Sequence, residues 1–306
     1  MGTPEFAVPS LQILHREGYP ILAVFTAPDK PRGRGRKVTS TAVGEYAVQN
    51  HLPLHRPESP GDSGLLTLLK ALKPDLLVVV AFRILPPEVF TIPRVASFNL
   101  HASMLPRYRG AAPISRALMN GETSTGVTTF VLAEKVDTGR IILQRQVPIE
   151  RGDDAGSLHD RLSSVGGDVV LETVRLLETG KAMPRPQDDS LATPAPKIRR
   201  EDCVIDWTRS ALAIHNQIRG LSPSPGAFTI HKGKVLKIFR SSPSTTTSPA
   251  SPGTISVAKD TLSVCAGDFL LEVEEVQQEG KKRMKMDEFL RGYEIRDGER
   301  LTGDQE

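Results

Sequence analysis

Cysteine is nearly absent, with two in 306 residues, Cys203 and Cys265. A pair cannot build a disulfide framework or a cysteine-rich zinc site, so both read as small core residues and no metal is expected. Aromatic residues make up only 5% of the chain, which argues against a base-stacking platform of repeated Phe and Tyr. Long apolar runs are missing too. The longest continuous one, Leu76 to Phe82, falls far short of the roughly 20 residues of a membrane helix. The N-terminal residues show no basic stretch ahead of an apolar one, so no signal peptide is read there. Phe6 stands where a myristoylation site requires Ser or Thr. Together these absences lead to the expectation of a soluble, cytoplasmic protein.

What is present suits a globular chain. Hydrophobic residues make up 39% and charged residues 25%, enough to bury a core and too apolar for a disordered chain. The length predicts one large or two moderate domains, and 24 prolines with 25 glycines predict many turns. The net charge of +3 hides an uneven distribution. Lys30, Arg32, Arg34, Arg36 and Lys37 fall within eight residues that hold no acid. Without this octet, the chain ahead of Lys197 would be net negative.

Hydrophobic spacing predicts a helix over 7–17 and a short buried strand at Ile21 to Phe25. A helix over Leu65 to Leu72 and a strand over Leu76 to Phe82 follow. The strand is apolar throughout, as in a parallel sheet covered on both faces. Ala96 to Leu100 reads as a strand and Ile114 to Met119 as a short helix. Gly126 to Leu132 and Ile141 to Val147 read as strands separated by a turn at 137–139. An amphipathic helix is expected from Ser157 to Thr179, ended by Gly180. Residues 181–200 hold four prolines and few large apolar residues, a linker composition. Beyond them the pattern is mostly β, with a hairpin turning at Lys232-Gly233 and a Ser/Thr/Pro stretch, Ser241 to Pro252, that reads as a mobile loop. The expected architecture is therefore α/β. A Rossmann-like, mostly parallel sheet domain covers 1–180, a proline-rich linker 181–200, and a small OB-like β-barrel domain 201–306.

The densest cluster of reactive residue types is Phe98 to Pro106. On an extended strand, residues two apart point the same way, so Asn99 and His101 can share one cavity. Parallel sheets place ligands outside the carboxyl ends of their strands. An amide and an imidazole there can hydrogen-bond an oxyanion, and the imidazole can move a proton. The plainer alternative is that Asn99 caps a turn and His101 is a satisfied, half-buried histidine. Asp137 is the natural carboxylate partner, or merely a turn residue. Spacing alone does not bring it to His101.

Taken together, GTPEFAVPSL, PDKPRGRGRK, NLHASMLPRYRGAAPI, GVTTFVLAEKVDTG, KIRREDCVIDW and IRGLSPSPGA resemble the methionyl-tRNA formyltransferases over nearly the whole chain. The block around Asn99 and His101 is shared by the wider folate-dependent formyltransferases. The basic loop and the last two segments are similar to the tRNA enzymes. The resemblance implies formyl transfer from 10-formyltetrahydrofolate to the α-amino group of methionyl initiator tRNA. It further implies Asn99, His101 and Asp137 as catalytic residues. Ser103, Met104, Leu105 and Pro106, with Phe82 and Ile84 of the 81–85 segment, are the implied folate contacts. Lys30, Arg32, Arg34, Arg36 and Lys37 are the implied tRNA contacts, although a charge run is more usually a solvated face. Arg107 and Arg109 could face the folate tail, the tRNA or solvent. Lys281, Lys282, Arg283 and Lys285 are further phosphate candidates that no motif singles out. A monomer without membrane contact is expected.

Two departures stand out. Members of the family usually carry a short hydrophobic strand just before GTPEF, and here Met1 directly precedes Gly2. Without a replacement, strand edges would be exposed and core lost, a cost of several kcal/mol. The family's ATYAPKI appears as ATPAPKI, so Pro194 could redirect the segment. Competing readings are a formyltransferase for an amino sugar or purine precursor, and an RNA-binding relative without catalysis. A nicotinamide enzyme is excluded because no G-x-G-x-x-G follows the first strand.

Overall fold

The structure is a computed structural model and describes residues 1–32 and 37–303. Its strands are β1 (Val24–Phe25), β2 (Lys30–Arg32), β3 (Lys37–Thr39), β4 (Leu54–His55), β5 (Leu76–Val80), β6 (Ala96–His101), β7 (Ser124–Val131) and β8 (Ile141–Pro148). In the C-terminal part follow β9 (Ala227–His231), β10 (Lys234–Pro243), β11 (Ile255–Ala258), β12 (Thr261–Cys265), β13 (Leu270–Gln278) and β14 (Met284–Lys285). The chain forms two compact units. One comprises 1–111, 124–148 and 159–195; the other comprises 112–123, 149–158 and 196–306. The stretch 181–195, expected as linker, is thus tied into the first unit.

In the first unit, β5 and β6 pair in parallel, while β6–β7 and β7–β8 are antiparallel. With the parallel β1–β4 pair and the parallel Gly2–Val80 bridge, the unit is parallel-rich and Rossmann-like as expected, and the antiparallel pairings of this sheet are confined to the β7–β8 edge. Helices cover both faces. Ser63–Leu72 is capped by Asp62, whose carboxylate accepts from Gly64 N and Leu65 N at 2.8 and 3.2 Å. Its buried Leu65 and Leu69 pack with Phe25, Leu77, Val79, Leu85 and Val89. The part of the long Ala155–Glu178 helix that belongs to this unit, from His159 on, presents Gly166 to Leu100 and bonds the Thr173 hydroxyl to Thr129 at 2.7 Å. A β-carbon on Gly166 would lie 2.6 Å from Leu100 Cδ2, so the glycine permits close helix–sheet contact.

The strand expected at 21–25 is reduced to β1, two residues paired with β4. Between β1 and β5, Met1 and Gly2 bridge the two strands. Gly2 N donates to Phe25 O at 3.0 Å and Val80 N donates to Met1 O at 2.9 Å. A cavity of about 700 Å³ adjoins this point, lined among others by Leu11, Leu14, Leu72, Leu77 and Val174. The Met1 amine is buried, donates to Val78 O at 2.7 Å, and is held down at a pKa of about 5 by loss of water.

The second unit carries an antiparallel sheet in the order β11-β12-β13-β10-β9, with β14 on β13. Residues 298–302 join its ends. Ile255 N donates to Glu299 O at 2.8 Å, while Ile230 N donates to Thr302 O at 2.8 Å and Thr302 N returns the bond at 3.0 Å. The Lys232-Gly233 turn has both residues at positive φ, +49° and +72°, as a two-residue hairpin requires. Two local readings change. A helix, Ala211–Leu221, lies within the stretch read as β, and its buried Ile214, Ile218 and Leu221 fill the core with Trp207. Strand β10 also runs into the Ser/Thr/Pro stretch, pairing Ser241, Ser242 and Pro243 with Val273, Glu272 and Leu271. Both cysteines are buried and free, and burial raises the Cys203 thiol pKa. Among the described residues, no helix is long and apolar enough to cross a membrane.

Candidate active site

Strand β6 delivers Asn99 and His101 to one side at its carboxyl end, as the two-residue repeat requires. Its neighbours in register are Val79 and Phe130 for Asn99, and Thr128 for His101. His101 is buried. Its Nε2 lies 2.8 Å from the Tyr108 carbonyl, so Nε2 carries the hydrogen that donates there. Nδ1 then faces Asp137, with Oδ2 at 3.8 Å. The tertiary structure thus brings together the His101–Asp137 pair that spacing left open. Asn99 is half-buried, and its amide has no hydrogen-bond partner among the described residues.

Asp137 sits in the turn between β7 and β8 with a left-handed backbone, φ +57°. Aspartate tolerates this region better than most residues, but it still needs support from its surroundings. One support is the Gly110 N–H, which donates to Asp137 Oδ2 at 2.8 Å. Gly110 has φ +127°, and a β-carbon there would stand 2.6 Å from Ala195 O. Gly110→Ala is therefore expected to cost about 2–4 kcal/mol of stability, from backbone strain plus overpacking, and to displace the Asp137 carboxylate. Denaturation midpoints and turnover, measured on the same preparation, check this.

The folate candidates divide by exposure. Ser103 is fully buried, its hydroxyl donating to Arg107 O at 2.6 Å, and Leu105 packs with Phe130 and Ile141. Met104, Pro106 and Phe82 are half-buried, and Ile84 is 72% exposed. The 81–85 loop carrying Phe82 and Ile84 is pinned. Arg83 donates to Glu58 O and Pro57 O at 2.5 and 2.6 Å. Thr128 and Gln144 hold the 103–105 segment from behind, Thr128 Oγ1 donating to Ser103 O at 2.7 Å and Gln144 Nε2 to Leu105 O at 2.8 Å.

Arg109 is half-buried, and its guanidinium is engaged by side chains of the 187–189 stretch. It donates to Gln187 Oε1 at 3.1 and 2.7 Å and to Asp189 Oδ1 at 2.6 Å. Arg107 is exposed, with its guanidinium 5.4 Å from the Tyr108 ring centroid. Sequence reasoning misses Gln187 and Thr193, because a lone Gln and Thr between prolines carry no motif. Thr193 Oγ1 accepts from Tyr108 N at 2.9 Å, and its carbonyl accepts from Arg109 N at 2.9 Å. Pro194 lies in this run, in a parallel bridge with Arg109.

Of the basic loop, Lys30 is exposed and lies in β2, which pairs with β3 as Lys30 opposite Thr39 and Arg32 opposite Lys37. Arg34 and Arg36 lie outside the described residues. In the second unit, Arg283 is committed to Glu275 by two bonds of 2.7 and 2.5 Å. Lys281, Lys282 and Lys285 are exposed, with no carboxylate partner among the described residues.

Comparison with known proteins places this chain in a class. The formyl transferase family model matches residues 1–174, and that of the formyl transferase C-terminal domain matches 197–294. At the level of fold, a sugar 3N-formyl transferase, WlaRD, is similar with a TM-score of 0.68 at 19% identity, over 92% of this chain and 97% of the other. An N-formyltransferase from Helicobacter canadensis is similar at 0.66 and 20%, over 90% and 97%. Closer in sequence are proteins named methionyl-tRNA formyltransferase. That of Syntrophus aciditrophicus is 46% identical over 97% of this chain and 96% of its own length. That of Moorella thermoacetica is 46% identical over 98% and 97%. The chain belongs to the methionyl-tRNA formyltransferase family.

Proposed function

We propose that the chain transfers a formyl group from 10-formyltetrahydrofolate to the α-amino group of methionine on initiator tRNA, in the cytoplasm. The observation that carries the reading is His101 facing Asp137 at the end of β6, with Asn99 two residues back on the same strand, in a chain of this family. A free α-amino group has a pKa of about 7.7–8.0, and esterification lowers it, so neutral amine is available near pH 7. No serine or cysteine nucleophile is required. His101 Nδ1 accepts the proton that the amine loses on attack, and Asp137, 3.8 Å away, stabilises the resulting imidazolium. The unpartnered Asn99 amide donates to the oxygen on which negative charge develops.

The folate donor would supply the formyl group and a leaving nitrogen, and His101 Nδ1 returns to that nitrogen the proton it took as the carbon–nitrogen bond breaks. The residues present fit its flat ring. Phe82 and Ile84 offer apolar surface on a loop that Arg83 already holds still, and Met104 and Pro106 extend it. Ser103 and Leu105 shape that wall from behind. Met104 in place of the family's leucine conserves volume. Lys30, Arg32, Arg34, Arg36 and Lys37 take the tRNA end, with Lys281, Lys282 and Lys285 as further phosphate contacts.

Transfer of labelled formyl from the folate donor to charged initiator tRNA tests the reading, with amino sugars and purine precursors as competing acceptors. Labelling of one of those instead would replace it, and binding of tRNA without any transfer would mark an RNA-binding relative. Arg34→Ala is expected to weaken productive tRNA binding and reduce the salt slope by about 1, leaving folate affinity unchanged. Salt titrations of KM for tRNA measure this.

A further inference from the structure

We infer that Gln187 is a positioning residue that latches the two loops of the active site together and holds Asp137 in its working conformation. The inference rests on the function proposed above. It stands on the bonding of one side chain. Gln187 Nε2 donates to Asp137 O and to Gly139 O, both at 2.8 Å. Gln187 Oε1 accepts from Arg109 Nε at 3.1 Å and Nη2 at 2.7 Å. A primary amide has two N–H donors and two acceptor lone pairs, and all four are used.

The atoms it joins belong to the two segments that build the site. Arg109 lies between Tyr108, whose carbonyl takes the His101 Nε2 hydrogen, and Gly110, whose N–H holds the Asp137 carboxylate. Asp137 and Gly139 flank the turn that carries that carboxylate. Both segments depart from relaxed backbone, with Tyr108 at φ +60° and Asp137 at φ +57°. Such conformations persist only where surrounding bonds over-determine them. For the carbonyl side of Asp137, that bond comes from Gln187. The segment reaches this place because Arg185 and Ile141 exchange backbone bonds of 2.8 and 2.9 Å on one side, and Ala195 N donates to Arg109 O at 2.6 Å on the other. Asp189 adds a carboxylate to Arg109 Nη2, which fixes the guanidinium that Gln187 accepts from. Gln187 itself touches no reacting group.

The donor half of the amide is the critical half. Gln187→Glu keeps the length and the acceptors for Arg109 but has no N–H for Asp137 and Gly139. Gln187→Ala removes both halves. In the formyl-transfer assay both variants are expected to lose about 10–100-fold in kcat, the scale of a small misplacement, with KM for either substrate within about twofold. The His101 ring signals, followed by NMR against pH, are expected to move in both variants, because Asp137 no longer faces Nδ1 as before. A merely structural role would lower the denaturation midpoint without moving that titration. If Gln187→Glu turns over like the parent, the latch is wrong and Arg109 capture alone is what the side chain does. If the parent itself transfers no formyl group, the proposed function fails instead. The latch is then judged on the His101 titration, and an unchanged curve in Gln187→Glu overturns it.

Discussion

His101→Ala is expected to lower kcat for formyl transfer by about 10²–10⁴ while tRNA binding survives. The size follows from what the ring does. Nε2 is already committed to the Tyr108 carbonyl, so Nδ1 is the nitrogen left to take a proton, with a carboxylate 3.8 Å away to balance the charge. Asn99→Ala removes one oxyanion donor and is expected to cost about 10²–10³. Asp137→Asn is the informative change at the third position. Its amide oxygen can still accept from the Gly110 N–H, so the loop holds, but the charge opposite His101 is gone. A fall in kcat with an unchanged denaturation midpoint would identify the charge as the cause. Near-parental turnover in any of the three variants would withdraw that residue from the mechanism. Filter binding of charged tRNA, run alongside, separates lost chemistry from lost substrate.

The second large effect concerns stability rather than rate. In a chain starting at Met1, the amine has a pKa of about 5 when folded and an ordinary value of 8.0 when exposed. Between those values the unfolded chain binds a proton that the folded chain refuses. Falling pH therefore favours unfolding from about pH 8 down to about pH 5, and below that the loss saturates. A fall in pKa from 8.0 to about 5 corresponds to a total on the order of 4 kcal/mol. Above pH 8 the amine is neutral in both states and contributes no slope. Burial also pulls the His215 pKa down, with the same sign. The comparison is therefore between the free chain and one whose Met1 amine is acetylated, by urea denaturation at pH 5 to 9. The free chain is expected to show the steeper loss. Parallel curves for the two would refute the buried amine.

Much of the framework is legible because it follows from local pattern. The apolar run at 76–82 suits a strand covered on both faces, and β5 occupies 76–80. The helix over 155–178 shows its 3.6-residue repeat, and the Lys232-Gly233 turn is marked by Gly233, which accepts positive φ freely. What local pattern misses, it misses for tertiary reasons. Ile21 to Ala23 has strand composition, yet among the described residues of this run only Val24 and Phe25 pair, with Leu54 and His55. The helix over Ala211–Leu221 has a clear buried face, yet it stands amid β-rich sequence that masks it.

The sequence by itself determined which reactive groups exist and which two share a face, because Asn99 and His101 are two residues apart on one strand. It also determined, through resemblance, the family to which those residues belong. Only the tertiary structure decided that Asp137 stands opposite His101, since the turn carrying it is reached through the fold of the sheet and not through spacing along one strand. The same holds for Gln187. Its stretch reads as a linker because proline-rich composition reports only the absence of regular structure. What the stretch does depends on hydrogen bonds to residues 48 to 78 positions away, which no local pattern records.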